Sequence, residues 1–247
     1  FGSIFTGFVL IPHFGIDQIV LTTGVILLVI GLLPIVIMTG TKKLIVKLII
    51  LLFITGGLLA ASSAVQSKGN IIYQKDGVYE RLIIYDDEYQ GRPTRFFMQD
   101  RSNSGAMFLD GDDLAFEYTK YYSLYKVFNP EPKEVLAIGG GIYSVPRKML
   151  SELPEANIDV VEIEPELEDL AKKYFNLPDD PRLNTYTEDG RRYLVDTDKK
   201  YDVIFSDVYF SMYSVPTHFT TSEFYQIAKD RLNQDGIFVA NFIGSLS

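Results

Sequence analysis

The chain has 247 residues, no cysteine and only two histidines, and its formal net charge is −9. The missing cysteines exclude disulfides and thiolate metal sites, and two histidines argue against a multi-histidine site, so we expect no metal. The negative charge argues against nucleic acid, because affinity for a phosphate backbone comes largely from clustered Lys and Arg. Neutral or cationic small molecules fit this composition better.

The first 64 residues are far more apolar than the rest and carry a net charge of +2, which leaves −11 for the other 183 residues. Their formal charges are Asp17, Lys42, Lys43 and Lys47. Residues 16–38 and 44–61 form apolar stretches of 23 and 18 residues, about 34 and 27 Å as helices, enough to cross a bilayer. Neither has the polar face of a soluble helix, so we predict transmembrane helices in a lipid bilayer.

The lysines at 42, 43 and 47 would lie in the cytoplasm by the positive-inside rule, which would place the rest of the chain outside. Lys68, Lys75 and Arg81 flank the opposite end and weaken this argument, so the side of the membrane stays open. The chain starts at Phe1 in apolar sequence without an initiator Met and stops at Ser247 after a strand-like run. We therefore expect a piece of a longer protein and take the two spans as a minimum.

Between residues 70 and 109, short alternating runs separated by turn residues predict a small antiparallel β-sheet. The runs are Ile71–Tyr73, Val78–Tyr85 and Arg95–Gln99, with a hairpin loop over residues 86–91. A helix is expected over Asp113–Phe128, because tyrosines recur at spacings of three and four on one face. These are Tyr118, Tyr121, Tyr122 and Tyr125. Such a stripe is more typical of a core than of a ligand site.

From residue 134 onward, strands, turns and helices alternate, which is typical of a parallel α/β sheet. The predicted strands are Val135–Ile138, Ile158–Ile163, Leu183–Tyr186, Val203–Ser206 and Gly236–Phe242, and the predicted helices are Tyr143–Leu153, Pro165–Tyr174 and Ser222–Leu232. This order predicts an α/β fold with a Rossmann-like, methyltransferase-type sheet, whose last strands we expect beyond Ser247. The chain thus divides into predicted transmembrane helices (1–64), a small β-sheet domain (65–110) and a Rossmann-like nucleoside-binding domain (111–247).

A glycine turn and an acidic residue lie at the predicted carboxyl ends of the first two strands, where ligands of open α/β sheets bind. Gly139, Gly140 and Gly141 let the backbone approach a ligand without a Cβ in the way. Glu162 follows Gly139 by 23 residues, where a carboxylate can accept both hydroxyls of a ribose. The pair indicates a nucleoside site. The missing third glycine of G-x-G-x-x-G argues against a dinucleotide.

Two further acidic residues end the next strands. Asp189 can accept from an adenine amino group or simply form an Asp-Gly turn. Asp207 would face the centre of the crevice, as a functional carboxylate or as a structural partner of the following loop. For His218, in that loop, we expect a packing role.

Four segments resemble, in order and spacing, those of the spermidine synthases, or polyamine aminopropyltransferases: LAIGGGIYSVPRKML, VVEIEPELEDLAKKYF, DPRLNTYTEDGRRYL and residues 201–238. The resemblance covers residues 77–247, and the apolar start resembles the membrane-fused branch of that family. It implies a role in polyamine biosynthesis, with an aminopropyl group passing from decarboxylated S-adenosylmethionine to a small amine without a metal.

By this resemblance, Glu162 would hold the ribose hydroxyls, Asp189 the adenine amine, and the glycine turn would lie under the thioether. Asp207 matches the first Asp of the family's D-x-x-D loop, the base that deprotonates the attacking amine. Tyr79 and Tyr118 match tyrosines of the substrate side. Because decarboxylated S-adenosylmethionine is supplied in the cytoplasm, the resemblance favours a cytoplasmic position for the polar part of the chain. The lysines at 42, 43 and 47 favour the opposite side of the membrane. The oligomeric state, a homo-oligomer included, stays open.

Several positions depart from the family pattern. Ile142 stands where the family has an Asp that binds the aminopropyl ammonium, and Phe210 replaces the second Asp of D-x-x-D. Asn103 and Ser104 lie near the expected glutamine, and Thr119-Lys120 replaces a His-Glu pair. The nucleoside half is therefore preserved, while the polyamine half is changed. Two alternatives stay open: an S-adenosylmethionine-dependent methyltransferase, and a non-catalytic nucleoside-binding or structural membrane protein.

Overall fold

The computed structural model describes residues 2, 6, 16–39, 70–77, 79–209 and 215–242. The chain forms two compact units, Phe1–Lys68 and Gly69–Ser247. In the first unit, helix α1 (Ile16–Thr39) covers the first predicted span, and the second, residues 44–61, lies outside the described residues. No helix of the described residues combines the length and apolar character that a bilayer crossing needs. The transmembrane assignment therefore stays a prediction.

The second unit opens with the predicted small antiparallel sheet, which has four strands in the order β1-β2-β3-β4. The strands are β1 (Asn70–Asp76), β2 (Arg81–Tyr89), β3 (Arg92–Gln99) and β4 (Ser102–Phe108), the last of which was not predicted. Val78, placed in the second strand by the sequence, lies outside the described residues.

The hairpin loop predicted over residues 86–91 is wrong in its extent. Strand β2 continues to Tyr89, and the turn consists of Gln90 and Gly91, whose φ angles of 53° and 75° suit a two-residue hairpin. The physical reason is a cross-strand ion pair, in which Arg95 Nε lies 2.8 Å from Asp86 Oδ1. This pair holds a polar residue within the strand ladder.

The helix predicted over Asp113–Phe128 begins later, at Glu117, because Leu114 forms an isolated bridge back to Met107 of β4. The segment consists of α2 (Glu117–Lys120), a 3-10 turn (Tyr121–Leu124) and α3 (Tyr125–Phe128). Its tyrosine stripe is largely part of the core, as predicted. Tyr122 and Tyr125 are buried and Tyr118 packs against the same core cluster, whereas Tyr121 is exposed.

Five parallel strands form the second sheet, in the order β7-β6-β5-β8-β9, which confirms the Rossmann-like α/β fold. They are β5 (Glu134–Ile138), β6 (Asn157–Glu162), β7 (Leu183–Thr187), β8 (Tyr201–Ser206) and β9 (Leu232–Ala240). Helices α4 (Ser144–Glu152), α5 (Leu167–Tyr174), α6 (Gly190–Asp196) and α7 (Ser222–Asp230) connect them, and α6 was not predicted. The strand order reverses between β5 and β8, and ligands of such sheets bind at this switch point.

Side chains of the small sheet fasten it to the helices of the parallel sheet. The hydroxyl of Tyr73 donates to Glu166 Oε2 at 3.1 Å, and Lys75 pairs with the same carboxylate. Arg95 donates through Nη1 to the carbonyl of Tyr174, at the end of α5, at 3.1 Å. The small sheet is therefore held at both ends of helix α5.

Candidate nucleoside-binding site

The glycine turn after β5 is required by close backbone packing. Gly139 has a φ of 90°, and a Cβ added there would lie 2.2 Å from the carbonyl oxygen of Asp207. Only glycine fits where the ends of β5 and β8 meet this closely. Gly141 also has a positive φ, 51°, but a Cβ there would meet nothing within 4 Å. The space beside Gly141, at the switch point, is therefore open to a ligand.

Glu162, at the end of β6, is buried and holds this turn from the side. Its Oε2 accepts from the backbone N–H groups of Gly140 and Gly141, at 2.8 and 3.0 Å, and its Oε1 accepts from that of Glu164 at 2.9 Å. The sequence predicted the position of this carboxylate at the end of a strand, but not its hydrogen bonds to the glycine turn. A carboxylate has about four lone-pair sites, so these three hydrogen bonds leave one acceptor site for a ligand, on Oε1.

Asp189 caps helix α6, which makes the Asp-Gly turn part of a helix start. Its Oδ1 accepts from the backbone N–H of Arg192 at 2.9 Å, and its Oδ2 lies 3.0 Å from Nε2 of His218. The Asp189 side chain is still 34% exposed. His218 therefore does more than pack, because its imidazole contacts a predicted site residue.

An open cleft of about 670 Å³ lies between the ends of β6 and β7 and the small sheet. It is lined by Tyr79, Ile163, Pro165, Thr187, Glu188, Asp189, Arg192 and Asp196. Two of the predicted site residues, Tyr79 and Asp189, are thus brought together. Ile163 is 42% exposed beside Glu162 and offers an apolar surface to a planar base.

Asp207 follows β8 and lies at a second position along the same edge. Its Oδ1 accepts from Nδ2 of Asn241, the residue after β9, at 3.0 Å. Burial raises the pKa of the Asp207 carboxyl, while the hydrogen bond from Asn241 and the nearby Tyr122 hydroxyl act in the opposite direction. A partly desolvated carboxylate of this kind is suited to accept a proton from a bound cation. The second D-x-x-D position, Phe210, lies outside the described residues.

Two tyrosines of the α2 to α3 segment surround Asp207. Burial, followed by the negative charge of Asp207, raises the pKa of the Tyr118 and Tyr122 hydroxyls. Both hydroxyls therefore stay protonated at neutral pH and can act as hydrogen-bond donors. Tyr118 also reaches the carbonyl of Ser104 in β4, at 3.4 Å. Tyr118 is thus near Asp207, whereas Tyr79 lines the cleft beside Asp189.

Ile142 is apolar and buried in the core, so this position supplies no charge to the crevice. It is 4% exposed, and its Cγ1 would lie 2.5 Å from a Cβ added at Gly105 of β4. The side chain therefore fills the junction between the glycine turn and the small sheet. Within the described part of the chain, no group of three or more His, Cys, Asp or Glu side chains is arranged to hold a metal.

Comparison with known proteins supplies the family. The spermine/spermidine synthase domain matches residues 122–242. A polyamine aminopropyltransferase of Vibrio vulnificus (strain CMCP6) is 30% identical over 191 residues, which cover 74% of this chain and 62% of that protein. A crystal structure of spermidine synthase in complex with the transition-state analogue AdoDATO superposes with a TM-score of 0.55 and 26% identity, over 69% of this chain and 57% of the other. The chain belongs to the spermidine synthase family.

A probable spermidine synthase from Corynebacterium glutamicum ATCC 13032 shares the fold, with a TM-score of 0.61 and 24% identity over 68% of this chain and 62% of the other. This spermidine synthase family member spans 62% of the length of the Vibrio relative. The matched domain contains the glycine turn, Glu162, Asp189 and Asp207, whereas Tyr79 and Tyr118 precede it. Asn241, Tyr122 and His218 also lie in the matched range, and the sequence had assigned none of them to the site.

Proposed function

We propose that this spermidine synthase family member transfers an aminopropyl group from decarboxylated S-adenosylmethionine to a small amine. The observation that carries the proposal is the placement of a glycine turn, the two anchored carboxylates of Glu162 and Asp189, and the half-buried carboxylate of Asp207 along one sheet edge. The aminopropyltransferase relatives and the neighbour bound to a transition-state analogue support it. No metal takes part in the proposed reaction.

The nucleoside would bind across the ends of β5, β6 and β7. Glu162 would accept from a ribose hydroxyl through Oε1, and Asp189 would accept from the amino group of adenine. The exposed face of Ile163 would contact the base, and Tyr79 would close the cleft on the opposite side. The thioether sulfur would lie over the glycine turn, where the missing Cβ of Gly141 leaves open space.

The proposed chemistry is a displacement at the carbon beside a sulfonium. The acceptor ammonium first loses a proton to Asp207, and its free electron pair forms the new C–N bond. The C–S bond breaks, and methylthioadenosine leaves as a neutral thioether that needs no acid. A positioned general base contributes about 10² to 10⁴ in rate, and alignment of amine and carbon contributes more.

Tyr118, the partly buried tyrosine near Asp207, would hold the amine before transfer. Aromatic faces attract cations, and neutral hydroxyls donate to the carboxylate without competing for the proton. Tyr118 is the predicted substrate residue here, and Tyr122 is its neighbour on the same helical face.

The buried position of Ile142 favours one second candidate, a methyltransferase that uses intact S-adenosylmethionine. With Ile142 in place of a carboxylate, the ammonium of decarboxylated S-adenosylmethionine has no ion-pair partner at the glycine turn and contributes less to binding. The two donors leave different products, so relative affinity for methylthioadenosine and S-adenosylhomocysteine separates these functions. Aminopropyl transfer predicts tighter binding of methylthioadenosine.

We also propose the three-part division of the chain at residues 64 and 110, and attachment to a lipid bilayer as in the membrane-fused branch. Six large apolar side chains of α1 support the attachment, since each is more than half exposed: Val20, Leu21, Val25, Ile26, Leu27 and Ile30. In water this surface would be costly, at about 25 cal/mol per Å². Carbonate extraction of membranes tests it, and release of the protein into the supernatant would contradict it.

The transferase proposal is tested by incubating the purified protein with isotope-labelled donors and a panel of di- and polyamines. Mass spectrometry should show amines heavier by one aminopropyl group and an equal amount of methylthioadenosine. Intact S-adenosylmethionine is the matched second donor. Methylated amines with that donor would support the methyltransferase instead, and no product with either donor would favour a non-catalytic role.

A further inference from the structure

The 3-10 turn at Thr217–Phe219 lies against the start of helix α6 and meets it at several points. Arg191 donates through Nη1 to the carbonyl of His218 at 3.0 Å and to the hydroxyl of Thr221 at 3.4 Å. The ring of Phe219 is buried, and it would lie 3.5 Å from a Cβ added at Gly190. The turn is therefore held by its backbone and by Phe219, independently of the imidazole of His218.

The imidazole itself makes a different contact. Its Nε2 lies 3.0 Å from Oδ2 of Asp189, while Oδ1 of the same carboxylate is occupied by the backbone N–H of Arg192. Among the described residues, His218 is the only side chain hydrogen-bonded to this carboxylate. The nearby guanidinium of Arg192 instead contacts Asp196 through Nε, at 3.3 Å.

Two bonds on its two oxygens fix the plane of the Asp189 carboxylate. Because the carboxylate only accepts, Nε2 must carry the hydrogen of the imidazole. The lone pairs that remain are then presented at the edge of the cleft, where Asp189 is one of the lining residues. A carboxylate held in one direction accepts from a ligand N–H with better geometry than a freely rotating one, and it offers no donor to a ligand carbonyl.

We propose that His218 is a positioning residue that orients Asp189 to select a 6-aminopurine over a 6-oxopurine. The inference rests on the proposed nucleoside function and adds the determinant of purine choice. A 6-amino group donates to the oriented carboxylate, whereas a 6-oxo group places two acceptors against each other. Loss of the imidazole therefore weakens recognition of the amine without removing Asp189.

The test measures binding of 5′-methylthioadenosine and 5′-methylthioinosine by calorimetry to the full chain and three variants. In His218→Phe, we expect methylthioadenosine affinity to fall about tenfold and methylthioinosine affinity to change less than about twofold. His218→Gln keeps an N–H donor and should restore the purine preference to within about threefold of the unmodified protein. Thr220→Val, in the same segment but bonded only to Thr217 in the described contacts, is the matched control and should behave as the unmodified protein.

The outcomes separate the inference from the function on which it rests. A reduced preference in His218→Phe that His218→Gln restores supports the proposal. An unchanged preference, or an equal loss of both ligands, overturns it, since the second result is what a merely structural role would give. If the unmodified protein binds neither nucleoside, the proposed nucleoside function itself fails.

Discussion

At the residue scale, the role of Asp207 depends on two opposing environmental effects. Burial favours the protonated carboxyl, and the hydrogen bond from Asn241 and the nearby Tyr122 hydroxyl favour the carboxylate. Replacing Asp207 with Asn removes the base but none of the nucleoside contacts. We expect turnover to fall by at least about 100-fold while methylthioadenosine affinity changes less than about twofold. Steady-state kinetics and calorimetry check this, and a fully active Asp207→Asn variant would exclude Asp207 as the base.

Asn241 should set the pH at which this base becomes active. Asn241→Leu removes the 3.0 Å donor to Oδ1, so the carboxylate loses a stabilising bond and its pKa rises further. Because the base acts only when deprotonated, the acid limb of the kcat profile should move to higher pH. Gln226→Leu, which removes an amide on the exposed face of α7, is the control. An unshifted acid limb would contradict this role for Asn241.

Glu80 makes a second pH-dependent contribution, this time to stability. Burial, followed by the charge of Asp100, raises the pKa of Glu80 to about 7 from its usual 4.5. Since folding favours the protonated form, the ionised side chain destabilises the fold above pH 7 and has no such effect below pH 4.5. Glu80→Gln should therefore stabilise the protein by about 1 to 2 kcal/mol at pH 8, allowing for solvent screening. Thermal unfolding should show this gain at pH 8 and lose it at pH 4.5, and a gain of equal size at both values would contradict it.

At the scale of the elements, the pattern of apolar residues predicted the strands that are buried in the structure. The strands β5, β6 and β8 read as apolar runs because both faces of a parallel sheet are covered by helices. Strand β4 was missed because its sequence, SNSGAMF, begins with turn-forming residues, although it pairs with β3 across a two-residue turn. Helix α6 was missed because Asp189-Gly190 is as typical of a turn as of a helix start.

The glycine turn provides a prediction at this scale. In Gly139→Ala the new Cβ would collide with the Asp207 carbonyl at 2.2 Å, whereas in Gly141→Ala it would enter open space at a φ of 51°. In Gly141→Ala the only cost is backbone strain of about 1 kcal/mol, so the unfolding midpoint should fall by about 2 to 4 °C. Gly139→Ala should lower it by about 6 °C or more and weaken methylthioadenosine binding. Equal midpoints in the two variants would contradict the close approach of β5 and β8.

At the scale of the whole molecule, the sequence predicted which sheet edge carries the candidate site. Topology alone brings the strand ends at Gly139, Glu162, Asp189 and Asp207 to one edge, so their approximate placement followed from strand order. The partners that set their geometry did not follow from it. Asn241, Tyr122 and His218 come from other elements, and only the packed structure shows that Asn241 and His218 bond to these carboxylates and that Tyr122 lies beside Asp207. Asn241 could have been found from the sequence, because it lies near the end of the last predicted strand of the same sheet and so at the same edge as Asp207.

The central claim is that this edge binds an adenosyl thioether through the carboxylate of Glu162. Calorimetry with methylthioadenosine tests it most directly, using the unmodified protein, Glu162→Ala and the control Glu166→Ala, whose carboxylate contacts Tyr73 and Lys75 of the small sheet. We predict one site per chain, a loss of at least about tenfold in Glu162→Ala, equivalent to about 1.4 kcal/mol, and a change below about twofold in Glu166→Ala. Equal affinity in the unmodified protein and Glu162→Ala, or no binding at all, would contradict the account.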